Sequence, residues 1–321
     1  MMKWPVVFLM VAIVLSGIAF AENGEDVHML YKEGRYEEAL AMAKASFAEK
    51  EKLYGPEDVR VAEALDDLGM IYAAQGNRQE AIESYKKALA VCEKAYGPNN
   101  YRVATANSAL GDIYFDDGVN EDAEAYYRKA VAIYKKSSPE NPEKLGTTLA
   151  KIAEMSYLTG KYTESEKVYE EAIPILERGF GRDSSQVSVA VDRLAELYYH
   201  HGRYADAEKL YMRNINIAQG SHADDDPRVV APLSKLADIK FAQAKYSEAE
   251  NLYEQALRTC EKTIGIDSPR AASISKDLIR TYKMLGKEKK AAELEKKMKE
   301  SAMIKPAQAE TKNRDIQKEG V

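Results

Sequence analysis

Cysteine is scarce. The 321-residue chain holds two, Cys92 and Cys260, too few for a disulfide framework and without metal-ligand spacing. Histidine is nearly as rare, four in all, and no pair follows the H-E-x-x-H pattern. No Lys/Arg run of the kind that neutralises phosphates is present, and the formal net charge is −6. That balance argues against a nucleic-acid partner. A Gly-rich phosphate loop, a G-x-S-x-G elbow and a Ser/His or Cys/His arrangement with supporting context are absent too. The sequence therefore carries no enzyme signature and asks for no cofactor and no metal. What remains is a chain that is 45% hydrophobic and 31% charged, a composition that suits helices.

The first residues read as an export signal. Lys3 precedes an apolar run from Val6 to Ile18, and Ala19-Phe20-Ala21 puts small residues at a cleavage site before Glu22. The run is short for a membrane span. The expectation is a signal peptide over 1–21 cut after Ala21, and a secreted or periplasmic mature chain. An uncut segment, the alternative, would be its one membrane attachment. The final stretch, 301–321, is polar and without periodicity and reads as a disordered tail.

Between these ends the chain repeats itself. Leu68, Leu110, Ile152, Leu194, Leu236 and Leu278 recur every 42 residues. In phase with them run a glycine column (Gly34, Gly76, Gly118, Gly160, Gly202, Gly286, with Ala244 in one place) and a small column through Ala81, Ala123, Ser165, Ala207, Ala249 and Ala291. Tyr85, Tyr127, Tyr169, Tyr211 and Tyr253 form a further column. Each period holds two amphipathic stretches, the first closed by a glycine fit for a left-handed helix end. The small column lets paired helices approach closely. One such pair cannot bury its apolar face alone, so the units must stack. Five complete repeats flanked by partial ones fill residues 22–300, and Pro174 should kink one second helix near Glu170.

"LGMIYAAQGNRQEAIESYKKAL" and "LAELYYHHGRYADAEKLYMRNI" resemble the tetratricopeptide repeat. The long period and linkers such as "YGPEDVRVAEAL" and "IGIDSPRAASIS" are similar to the kinesin-light-chain kind. The resemblance implies an all-α helix-turn-helix solenoid, a right-handed superhelix whose concave groove is lined by first helices and binds a protein or peptide.

Three clusters compete for chemistry. His200 and His201 stand just before Gly202. They read as a polar helix end that suits the negative pole of the helix dipole. The alternative is a metal-dependent enzyme site shared with Asp206. His222 with Asp224, Asp225 and Asp226 lacks the alternation of a calcium loop and reads as a linker with Asp capping the next helix. Cys92 and Cys260 fill one column in distant units, so they read as small buried hydrophobes.

One pattern rises above the fold. On successive first helices, residues three apart share a face and a chemistry: Lys151, Glu154 and Tyr157; Arg193, Glu196 and Tyr199; Lys235, Asp238 and Phe241; and, upstream, Asp112 and Phe115. As groove residues they would hold another protein or an extended peptide of basic or aromatic character. Alternatively the charges pair with each other on a solvated face while the rings pack between units. The groove reading makes the chain a non-catalytic interaction scaffold. A cell-envelope assembly factor or chaperone for exported clients is the other candidate.

Overall fold

The computed structural model describes residues 24–137, 141–221 and 226–300, and every regular element among them is helical. The signal segment, the tail, His222, Asp224 and Asp225 lie outside the described residues. In chain order the helices are α1 (Gly24–Lys32), α2 (Tyr36–Tyr54), α3 (Val59–Ala74), α4 (Arg78–Tyr96), α5 (Tyr101–Asp116), α6 (Asn120–Ser137) and α7 (Pro142–Leu158). They continue with α8 (Tyr162–Phe180), α9 (Ser185–His200), α10 (Tyr204–Ser221), a 3-10 turn (Pro227–Val229), α11 (Val230–Ala242), α12 (Tyr246–Thr263) and α13 (Pro269–Met284). A last helix, α14, covers 288–300. Odd-numbered helices are first helices and even-numbered ones second helices. Among the described residues no helix is long and apolar enough to cross a membrane.

The helices form two compact units that meet in sequence within α8, one ending at Val168 and the other starting at Tyr169. Within each unit the main contacts join helices adjacent in the chain, as stacked pairs require. The small column is the tightest place, with Ala81, Ala123, Ala207 and Ala249 wholly buried. Ser165 keeps that position buried by donating its hydroxyl to the Ala153 carbonyl at 2.7 Å. In the N-terminal unit two further glycines let a tyrosine ring lie against the first helix. A Cβ on Gly69 would fall 2.8 Å from the Tyr85 ring, and one on Gly111 would fall 2.6 Å from the Tyr127 ring.

Each first helix ends the same way. At Gly202 (φ +72°) the Gly202 N–H donates to the Tyr199 carbonyl at 3.0 Å and the Arg203 N–H to the Tyr198 carbonyl at 2.8 Å, a Schellman turn. Ala244 makes the same turn at φ 59° without being glycine. Several first helices also begin alike. Asp58, Asn100, Ser184, Asp226 and Ser268, in one column of the repeat, each accept a backbone N–H at the helix start. Asp226 thus caps the segment after Pro227, as expected of the acidic linker. Pro174 lies inside α8, which stays helical from Tyr162 to Phe180.

Candidate functional site: the first-helix face

Internal bonds engage much of the acidic row. In the N-terminal unit Asp112 on α5 accepts the Tyr127 hydroxyl at 2.7 Å. The same carboxylate receives Lys151 Nζ from α7 at 2.6 and 2.7 Å. Glu154 sits half-buried on α7. In the C-terminal unit Asp238 on α11 accepts the Tyr253 hydroxyl at 2.5 Å, and burial pushes its carboxyl above the ordinary range. Glu196 pairs with Arg193 on its own helix at 3.1 Å. In the same repeat as Glu196 the buried Tyr211 hydroxyl has no hydrogen-bond partner among the described residues.

The aromatic row packs across the turn inside each repeat. Tyr157 meets Tyr162 with centroids 5.6 Å apart, Tyr199 meets Tyr204 at 5.5 Å, and Phe241 meets Tyr246 at 5.1 Å. Tyr31 and Tyr36 repeat the arrangement at 5.5 Å. Each ring from the end of a first helix lies against the ring that opens the second, five residues on. Phe115 is half-buried, and the matching place after it is Asn120, which has no ring to offer. Cations of the following repeat approach the open sides. Lys235 Nζ lies 5.6 Å from the Tyr199 centroid and the Arg280 guanidinium 4.4 Å from that of Phe241. The rings therefore staple turns and stay half-buried, with Phe241 also packed against the core cluster that includes Ile274 and Leu278 of the next repeat.

Two columns escaped the sequence reading. An arginine two residues after the cap recurs at Arg60, Arg102, Arg228 and Arg270, and in Arg60 and Arg228 it bonds the capping carboxylate. The 42-residue spacing carried that signal. The second is a seam between repeats, where a second-helix residue meets a first-helix tyrosine 28 positions on. In the N-terminal unit lysine ammoniums lie over rings, Lys44 over Tyr72 at 5.6 Å and Lys86 over Tyr114 at 5.8 Å. In the C-terminal unit Glu170 and Glu254 accept the Tyr198 and Tyr282 hydroxyls at 2.7 and 2.9 Å.

The histidines lie at a helix end. His200 is the last residue of α9, its ring 5.6 Å from that of Tyr199. The backbone N–H of His201 caps the helix through the Leu197 and Tyr199 carbonyls. Asp206 is held by Arg203 at 2.9 Å and Lys209 at 3.6 Å. Among the described residues no group of three or more His, Cys, Asp or Glu could hold a metal ion. Cys92 and Cys260 are buried free thiols, and burial pushes the Cys92 thiol up to about 11. On the first-helix face of the C-terminal unit a pocket of about 370 Å³ opens between α9, the 3-10 turn, α11 and α13.

Comparison with known proteins agrees with this anatomy. The tetratricopeptide repeat family model matches residues 27–94, 60–136, 144–220, 185–262 and 228–298. The chain belongs to the tetratricopeptide repeat family. Members of this family typically mediate protein–protein interaction. No curated protein matches the chain. Among solved structures it is similar to BtubC (BKLC) from P. vanneervenii, at 23% identity over 72% of this chain and 92% of that one, with a TM-score of 0.60. A candidate kinesin light chain with nearly identical TPR-like repeats from Podosopora anserina matches at 20% identity, covering 66% and 99% of the two chains, with a TM-score of 0.53. YrrB, described as a TPR protein with an unusual peptide-binding site, matches at 13% identity over 72% and 98%, with a TM-score of 0.51. At these identities the likeness concerns the fold alone.

Proposed function

We propose that this chain is a non-catalytic scaffold that holds a partner protein or peptide on the first-helix face of its repeats, exported under the signal segment 1–21. The observation that carries this reading is the C-terminal unit's first-helix face. There Tyr199 and Phe241 stay half-exposed under flanking cations, and a pocket of about 370 Å³ opens on the same face. Rings held by a turn partner are pre-ordered, so a ligand meets apolar surface without having to freeze it. A peptide-binding site is also reported for YrrB, which shares the fold. The chaperone alternative needs freely exposed groove aromatics, and rings stapled to neighbouring tyrosines suit it less.

The test is cross-linking of the full chain in its native extract, followed by mass spectrometry, for wild type and Tyr199→Ala with Phe241→Ala. Circular dichroism serves as the control for folding. Recovery of cross-linked partners should fall several-fold in the folded double variant. Unchanged recovery would remove the first-helix face from the binding surface. For export, fractionation of cells should find the mature chain outside the cytoplasm and shortened at Ala21; a full-length cytoplasmic chain would refute it.

A further inference from the structure

Three acids crowd α3 in the N-terminal unit. Glu63, Asp66 and Asp67 stand within little more than one turn of that helix. Two of them have a charged partner. Glu63 meets the Arg102 guanidinium of α5 at 2.8 Å. Burial opposes the charge of Asp67, but His28 Nε2 of α1 lies 3.3 Å from it and, with Lys50 of α2, favours that charge. Asp66 is less well served. Its Oδ1 is closed off from solvent and has no hydrogen-bond partner among the described residues. The cation that acts on it is Arg102, already held by Glu63. Asp67 and Glu63 on its own helix, and Tyr85 and Cys92 on α4, bring it no positive charge.

Asp66 also sits where two repeats meet. Val61, Ala62 and Leu65 of α3 and Cys92 of α4 form one buried cluster with Val103 and Ala104 of α5. The α5 helix is joined to α4 less extensively than α3 is, and a solenoid can part at one such junction without unfolding the rest. Elsewhere the column of Asp66 holds Ser108, Ala150, Ser234 and the exposed Lys276, and its other acid, Asp192, is bonded by Asn214. At this junction alone, among the described residues, the column carries a carboxyl group without a hydrogen bond. A neutral acid tolerates that place. A carboxylate there is a charge cut off from water, and parting the junction hydrates it.

We infer that the junction between the α3/α4 pair and α5 is an acid latch, closed over the neutral Asp66 and loosened when that acid ionises. Burial, with repulsion from Asp67 and Glu63 outweighing Arg102, raises the folded group to about 7. In an open chain it titrates near 4. Opening the latch between those values therefore releases a proton. It becomes about tenfold easier with each pH unit from about 4 to about 7, and no easier above. Acid thus holds the second and third repeats together, and neutral solution lets them breathe and uncovers Cys92. The latch works with or without a partner on the first-helix face.

The two cysteines make the test internal. Cys92 and Cys260 are buried free thiols in one column of different units, and the C-terminal counterpart of Asp66 is the uncharged Ser234. The full chain is exposed to a dithiodipyridine reagent, which labels thiols in acid as well as in base, and each cysteine is followed by peptide mass spectrometry. In wild type the labelling rate of Cys92 relative to Cys260 should rise at least about tenfold between about pH 5 and about pH 8. In Asp66→Asn that ratio should stay within about twofold, and Cys260 should follow the same profile in both proteins. Circular dichroism checks folding. Asp66→Ser, which installs the side chain found at Ser108 and Ser234, replaces the asparagine variant should that one not fold. A flat ratio in wild type, an equal rise in the variant, or a parallel rise at both thiols overturns the inference.

Discussion

Asp66 in the N-terminal unit and Asp192 in the C-terminal unit fill the same column of the repeat, three periods apart, yet they are treated differently. Both lie on first helices, and burial raises both. Asp192 has compensation: Asn214 hydrogen-bonds it, and Arg193 and Lys235 favour its charged form. Asp66 has a buried oxygen with no hydrogen-bond partner among the described residues. Burial drives it up to about 7, with Asp67 and Glu63 adding repulsion and Arg102 opposing it. A repeat column fixes where a side chain sits, and the neighbouring repeats decide what that place costs. The comparison can be broken at Asp66. An unfolded aspartate titrates near 4, so between about pH 4 and 7 the folded state holds the extra proton. Its contribution to stability therefore falls as pH rises through that window and is lost above it. Asp66→Asn should stabilise the chain at pH 8 by on the order of 2–4 kcal/mol and change little at pH 4. Denaturant midpoints at the two pH values measure this; an equal shift at both would show that ionisation is not the cause.

The next contrast concerns how closely a tyrosine lies to the first helix. The first two complete repeats of the N-terminal unit have Gly69 and Gly111 against Tyr85 and Tyr127, whereas the column continues as Ala153 and, in the C-terminal unit, Ala195, Ala237 and Ile279. At Gly111 a methyl group would stand 2.6 Å from the Tyr127 ring, and moving the ring pulls its hydroxyl from Asp112. Gly111→Ala should cost about 1–3 kcal/mol from overpacking, partly offset by about 1 kcal/mol of better helix propensity. Chemical denaturation would read the net loss. A stabilised variant would mean that the ring shifts freely and that glycine there is no requirement of the close approach.

Much of this anatomy was legible in the residues. The period, the glycine-ended first helices, the buried alanines and the capping aspartate before Pro227 all follow from local rules that each repeat obeys independently. The candidate face was legible only as a surface. Which partner each charge takes differs from repeat to repeat. Asp112 and Asp238 bond their repeat's tyrosine hydroxyl, while Glu196, one methylene longer, pairs with Arg193 on its own helix. The aromatic row was legible as a candidate groove face, but not its ring partners. Its true ring partners, Tyr162, Tyr204 and Tyr246, stand five residues on, across a turn that brings them together.

The smallest expected effect tests the turn itself. Gly76, Gly118 and Gly160 in the N-terminal unit take φ between +74° and +77°, and Ala244, in the same column of the C-terminal unit, takes 59°. A Cβ in left-handed backbone costs an L-residue about 1–2 kcal/mol. Ala244 is exposed, so its methyl group contributes little packing in return. The turn is otherwise intact, with the Ala244 N–H on the Phe241 carbonyl and the Lys245 N–H on the Lys240 carbonyl, both at 2.9 Å. Ala244→Gly should therefore raise stability by about 1 kcal/mol, less the added entropy of glycine in the unfolded chain. Ala242→Gly, inside the last turn of α11, should lower stability by a similar amount. Thermal melts of the two variants side by side would decide: if both fall together, the left-handed turn tolerates alanine without strain, and the glycine column reflects something other than backbone conformation.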